Sequence, residues 1–339
     1  MNNSELVTNG ESRVHYGDLV VSEDMRSDFL YSDEAKEGME KKIPYYIESL
    51  SENSQTAFKS DMSIFIQWCK KNSYCALPVN PIVLRRFMYE ESNEKAPTTI
   101  ERRLSTICKL HQVIGIKSPR SEPEISSAMK NIWEISEHEI RQAQPFRMEK
   151  LNLLPSVIDR RKIRDVRDIA ITLLAYSTLL RRSEMARIKI EDLDMESGMD
   201  GTVKVGKIKS AKGTREVHYA YISPVAMIWI KEWIRISGAE NGILFRTVNK
   251  WNSAGRNGIS GCAIAESINR MGRLINVELN FTGHSTRVGA AQDLVANGIE
   301  TTKAMQAGRW KDTKTFLRYS ARLNASEGGM SEMFKKNNG

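Results

Sequence analysis

What the chain has little of narrows its role before any motif is read. Its 339 residues hold four cysteines, Cys69, Cys75, Cys108 and Cys262. No CxxC pair occurs and no cysteine–histidine cluster has zinc spacing, which argues against a structural zinc module. Cys69 and Cys108 fall on apolar helical stripes and read as small core residues, so a reducing, cytosolic setting fits. No stretch approaches the ~18 consecutive apolar residues of a membrane span, and the opening MNNSELVTNGESRVHYGDL has no apolar signal-peptide core. The expectation is a soluble, cytoplasmic protein with no membrane partner. Also missing are an internal repeat, a low-complexity tract and the paired-carboxylate cluster of a two-metal nuclease.

The length exceeds one ordinary domain, so two are expected. Fifty Lys and Arg against 42 Asp and Glu give a net charge of +8. That balance suits a polyanionic partner without requiring one.

Residues 1–33 are polar, mixed in charge and without periodicity, and read as a flexible arm. Residues 34–138 read as a helical bundle. Phe58, Met62, Phe65, Ile66 and Cys69 recur at three- and four-residue steps, and so do Ile100, Leu104, Ile107, His111 and Ile114. A turn is expected around Leu77–Pro81. A further helix starts at Ser121, with Pro123 in its first turn. The polar stretch EISEHEIRQAQ followed by Pro145 marks a linker at 139–145. Residues 146–339 form a larger, mostly helical domain. Its convincing β signal is TVKVGKIK and REVHYAYI around SAKG, a small antiparallel hairpin with Lys209 at or near its tip. Other helices are expected up to Arg181, after Ser223-Pro224, and at about 259–275, 284–296, 300–307 and 312–318. The fold class is therefore mainly α in two domains, the second mixed α/β with a small antiparallel sheet.

Six residues of this second domain could together cut a phosphodiester: Arg181, Lys209, His284, Arg287, Trp310 and Tyr319. Guanidiniums grip non-bridging phosphate oxygens through paired N–H donors. A lysine and a histidine can move protons, and a tyrosine can be a nucleophile. Taken singly, each has a plainer explanation. Arg181 and Arg182 could be solvated helix-end arginines. His284 and Arg287, three apart on a helix, could be surface residues. Lys204, Lys207, Lys209 and Lys212 could all be solvated hairpin charges. Trp310 could be packing, and Tyr319 one half-buried tyrosine among ten. A phenol in water ionises only near pH ~10, so a nucleophilic tyrosine needs a nearby base or positive field. Gly283 would let the start of the 284–296 helix come close to a ligand.

The order Arg-x-x-Glu (Arg181, Glu184), Lys209, Gly-His-x-x-Arg (Gly283, His284, Arg287), Gly-x-Trp (Gly308, Trp310), Tyr319 resembles the tyrosine recombinase, or phage integrase, family. The stretches AYSTLLRRSEMARIKIEDLD and FTGHSTRVGAAQDLVANGIETTKAMQAGRWKDTKTFLRY carry the resemblance most strongly, and weaker similarity runs from about Ser51 to the C-terminus. The resemblance implies catalysis by Arg181, Glu184, Lys209, His284, Arg287, Trp310 and Tyr319, with Glu184 in support. Lys209 is then the acid for the departing 5′ oxygen, with Lys207 and Lys212 competing because hairpin register is easily misread. Where many members carry histidine this chain has Trp310, which donates a hydrogen bond but takes up no proton.

The resemblance also implies that the first domain binds DNA through the helix over 98–114. There Thr98, Thr99, Arg102, Arg103, Thr106 and Lys109 lie largely opposite the apolar stripe, a face that could equally be merely solvated; Lys212 is a further candidate contact. Residues matching the family's base-contacting positions differ in type, and a recognition-helix arginine is replaced near Cys262. Met330, Met333 and Phe334, on a short helix at about 329–336 beyond Gly328-Gly329, would dock on a neighbouring protomer. The partners implied are double-stranded DNA with inverted-repeat half-sites around a short spacer, and further copies of the chain forming a tetramer on two duplexes. No cofactor, metal or small-molecule substrate is expected. A type IB topoisomerase-like nicking and closing enzyme and a catalytically silent DNA-binding regulator are the alternatives.

Overall fold

A computed structural model describes residues 30–138, 142–196, 198–209, 215–276, 280–320 and Met333, with the side chains of 207–209, 215, 216 and 320 left outside that description. The chain divides into two compact units, Met1–Ile140 and Arg141–Gly339.

The first unit's described part is built from five α-helices, α1 (Asp33–Ser49), α2 (Glu52–Lys71), α3 (Pro81–Ser92), α4 (Pro97–Ile114) and α5 (Pro123–Ile135), with an isolated β-bridge between Tyr31 and Leu77. Local chemistry sets the starts. The Ser32, Ser51 and Asn80 side chains accept from the exposed backbone N–H groups of α1, α2 and α3. Proline opens α3, α4 and α5, where its missing N–H costs nothing. The expected α4 stripe is in place, with Ile100, Leu104, Ile107, His111 and Ile114 all buried against Phe65, Leu84, Phe87 and Ile132. Gly38 lets α1 lie on the end of α4, because a Cβ there would come within 2.5 Å of the Ile114 carbonyl oxygen. His111 is fully buried yet satisfied: Nδ1 lies 2.8 Å from the Ile107 carbonyl, and Nε2 accepts from Val79 N at 3.1 Å.

The second unit is built around α8 (Ile163–Thr178), buried nearly all round and packed by α10 (Pro224–Ser237), α11 (Gly261–Leu274) and α12 (Ser285–Ala296). Short helices α6 (Met148–Leu151) and α7 (Leu154–Val157) precede α8, α9 (Arg182–Met185) follows it, and α13 (Thr301–Gly308) and α14 (Thr313–Ser320) end the described part. Strands β1 (Leu193–Asp194), β2 (Gly201–Lys209) and β3 (Arg215–Ile222) form an antiparallel sheet in the order β1-β2-β3. Val203 pairs with Ala220, and Lys209, the last residue of β2, pairs with Arg215. A second hairpin, β4 (Arg246–Val248) and β5 (Ala254–Gly258), carries too little β propensity to be read from the sequence.

Buried charge pins α11 to α8. Arg270 Nε donates to Asp168 at 2.7 Å and its Nη1 to Asp165 at 2.8 Å, while Ser267 and Arg167 also donate to Asp168. Removing one partner would strand a buried charge at a cost of about 3 kcal/mol. Among the described residues no helix is long and apolar enough to cross a membrane. The mainly helical class with small antiparallel sheets is the one expected. Not expected were α1, which buries only Ala35 and Gly38, α3, which occupies the region expected to follow a turn, and the short helices α6, α7 and α9.

Candidate active site

Two left-handed turns build the site. Helix α8 ends at Leu179 with φ +53° and α13 ends at Arg309 with φ +52°. Each turn aims a carbonyl at Arg287 of α12: Nη1 donates to Leu179 O and Nη2 to Gly308 O. The negative ends of two helices thus converge on one guanidinium. Arg287 is 1% exposed, its carbon Cζ stacked 4.5 Å from the centre of the Trp310 ring. Burial and the nearby Arg181 charge lower its pKa to about 10, although Tyr319 and Glu184 pull the other way. Such a desolvated cation has much to gain from an anion.

Arg181 is the N-cap of α9, exposed beside this buried centre. Glu184 closes back on it, accepting from Arg181 N at 2.7 Å and from its Nη1 at 3.3 Å. The same carboxylate accepts from Arg309 Nη2 at 3.1 Å. His284 sits at the N-cap of α12. Its imidazole is held below the ordinary histidine range, first by partial loss of water and then by Arg287, Arg181 and Arg182. It is therefore neutral at neutral pH and able to accept a proton.

Gly283 also has a packing reason. A Cβ there would lie 3.1 Å from the Arg182 side chain, so the glycine makes room for that arginine's stem. The tight backbone approach in α12 is at Gly289 instead, where a Cβ would meet Phe146 O at 2.2 Å.

Trp310 and Tyr319 share a small apolar cluster with Leu179, Ala290, Ala291, Ala304 and Phe316. Their ring centres are 5.8 Å apart. Tyr319 lies in the last turn of α14, and backbone contacts hold that turn: Gln292 donates to Tyr319 O at 3.2 Å and Gln142 to Arg318 O at 3.0 Å. Among the described residues, Trp310 Nε1 and Arg309 Nε and Nη1 are buried donors with no acceptor. An unmet buried donor costs about 1–3 kcal/mol, and at Trp310 Nε1 an arriving acceptor would remove that cost.

The structure thus gathers Arg181, Glu184, His284, Arg287, Trp310 and Tyr319 around one spot. Lys209 is placed only by its backbone, at the end of β2; its side chain, like all of Lys212, lies outside the described residues. Met330 and Phe334 lie outside them too, while Met333 is described and exposed. The residues not foreseen are Arg309, Gln292 and Gln142. Arg309 alone had a signal, as the middle residue of Gly-x-Trp.

On α4 the expected polar face needs a correction. Thr98, Arg102 and Lys109 are exposed, and Thr99 and Thr106 half-buried. Arg103 is buried, paired with Glu91 and lying 3.7 Å from Asp61. It faces into the bundle because two carboxylates there need a cation. Asp61, 1% exposed, also takes Arg102 Nη1 and the Thr106 hydroxyl, the latter at 3.1 Å.

The model of the phage integrase family matches residues 146–325. The chain is 27% identical over 307 residues to the recombinase Cre of Escherichia phage P1, covering 85% of this chain and 89% of that protein. It is 25% identical over 301 residues to an integrase/recombinase XerD homologue of Selenomonas ruminantium, covering 85% and 87%. Its fold resembles that of the XerH site-specific recombinase in a post-cleavage complex with palindromic difH substrate, at a TM-score of 0.57 and 16% identity over 81% of this chain and 79% of that one.

Proposed function

This chain is a tyrosine recombinase of the phage integrase family, and we propose that it exchanges DNA strands at specific sites through a covalent link to Tyr319. The observation that carries the reading is the grouping of Arg181, Arg287 and Arg309, with one carboxylate between them, beside the Trp310 and Tyr319 rings. That arrangement holds more positive charge than it neutralises and fits a phosphodiester, whose single negative charge grows in the in-line transition state.

In the proposed step the Tyr319 oxygen attacks the scissile phosphorus. The bond to the 5′ oxygen breaks, leaving a 3′-phosphotyrosyl link and a free 5′ hydroxyl. Neutral His284 takes the phenol proton, and Lys209 supplies the proton for the departing oxygen. Arg181, Arg287 and the Trp310 N–H stabilise charge on the non-bridging oxygens. The 5′ hydroxyl of a partner strand then attacks the phosphotyrosyl phosphorus and Tyr319 leaves with its proton restored. One phosphodiester is exchanged for another, so the cycle needs no nucleotide to drive it. The substrate in this reading is double-stranded DNA carrying inverted half-sites around a spacer, met by a tetramer on two duplexes, with Thr98, Thr99, Arg102, Thr106 and Lys109 of α4 touching the backbone. The similarity to Cre and to the XerD homologue over most of their lengths supports this over a topoisomerase-like role.

The test uses a site recovered by selecting random-sequence duplex DNA against the protein. Two linear fragments carrying that site with different flanks are mixed with it. Products with exchanged flanks are expected. A supercoiled plasmid carrying the same site is incubated in parallel, and its relaxation without any flank exchange between the linear fragments would instead assign nicking and closing.

A further inference from the structure

Arg309 stands in a backbone conformation that suits glycine. Its φ is +52°, and an L side chain is disfavoured there. The position closes α13 by returning Trp310 N to the Met305 carbonyl at 3.0 Å, which any residue, glycine best, would do. The side chain is only 9% exposed, so a long cation is folded into the protein at an unfavourable backbone position. Both features work against stability, which points to a role that glycine would not fill.

That role is visible in its contact. Arg309 Nη2 donates to Glu184 Oε2 at 3.1 Å. The same oxygen accepts from Arg181 N at 2.7 Å, and the other carboxylate oxygen accepts from Arg181 Nη1. Glu184 is thus shared between a buried guanidinium and an exposed one. Arg181 alone, 48% exposed and attached to a four-residue helix, would hold that carboxylate loosely. The buried partner fixes it. We propose that Arg309 is a positioning residue: it clamps Glu184 from below, and Glu184 in turn orients Arg181 for the scissile phosphate. The proposal rests on the reading above, in which Arg181 grips that phosphate. Burial lowers the pKa of Arg309 while Glu184 raises it, consistent with a cation held for its partner rather than for solvent.

The test measures single-turnover cleavage of a nicked suicide duplex carrying the selected site. Arg309→Gly relieves the backbone strain, so the variant should melt no lower than the parent. Its cleavage rate should fall about tenfold or more while DNA affinity stays within about twofold. Arg309→Lys, which keeps a charge within reach of Glu184, should recover part of the rate. In a Glu184→Ala background, Arg309→Gly should bring no further loss, because the carboxylate it acts through is gone. Should the glycine variant unfold, Arg309→Asn, whose side chain tolerates this backbone and is too short to reach, takes its place. Parental cleavage by Arg309→Gly would overturn the proposal. So would losses that multiply with Glu184→Ala, since Arg309 would then act on the phosphate directly. Tyr319→Phe runs alongside: if it still forms the adduct, or the parent forms none, the underlying reading fails rather than this proposal.

Discussion

His284 and His111 show how one residue type is used in opposite ways. Both are held below the ordinary histidine pKa, and in both the first cause is loss of water. At His284 the arginines add to the shift, and the neutral form is the one able to take a proton. Cleavage should therefore be full at neutral pH and fall as pH drops through a midpoint below ~6.5. A rate profile over pH checks this, and His284→Asn should lower the rate and remove the acid limb. At His111 the neutral ring joins Ile107 to Val79 in the core. Its folded pKa is depressed, so its contribution is complete above the unfolded value near ~6.5 and is lost as pH falls from there through the folded value. The melting temperature should drop between pH 7.5 and 5.5, and drop less in His111→Gln. An equal drop in both would remove His111 from the account.

At the scale of elements, α4 separates charges that look alike in sequence. Lys109 is exposed, whereas Arg103, six residues earlier, is buried between two carboxylates. Lys109→Ala should flatten the log–log salt dependence of DNA binding by about one unit or less and leave the melt unchanged. Arg103→Ala should do the reverse, losing about 3 kcal/mol of stability with the salt slope intact. Salt titrations and thermal melts of the two variants separate these outcomes. Periodicity could not warn of Arg103, because its reason lies on other elements, in Asp61 of α2 and Glu91 of α3. Helix α3 carried a signal that was not read, since Val83, Leu84, Phe87 and Met88 are buried at helical spacing. What obscured it was Pro81, which opens a helix as readily as it ends one. Helix α1 gave less to read, with small buried residues and Pro44 inside it.

Across the whole molecule, most residues of the candidate site were named by the family resemblance, and the structure brings them together. The motifs bring Arg181, Glu184, His284, Arg287, Trp310 and Tyr319 into one cluster, from the ends of α8 and α13 and from α9, α12 and α14. The positive-φ turns at Leu179 and Arg309 were not legible, because neither residue announces that backbone as glycine would. The role of Arg309 was hidden for the same reason. The proposed assembly makes a prediction at this scale. Deleting residues from Gly329 onward should leave binding to a single half-site unchanged and weaken cooperative binding to full sites, as read by native-gel titration. Undiminished cooperativity in the truncated protein would remove the trans-docking helix. The covalent step is the centre of the proposed mechanism. With the nicked suicide duplex, denaturing gels should show a protein–DNA adduct, and peptide mass spectrometry should place the 3′-phosphate on Tyr319; Tyr319→Phe should bind the duplex with parental affinity and form none. An adduct that persists in Tyr319→Phe, or one mapped to another residue, would contradict the account.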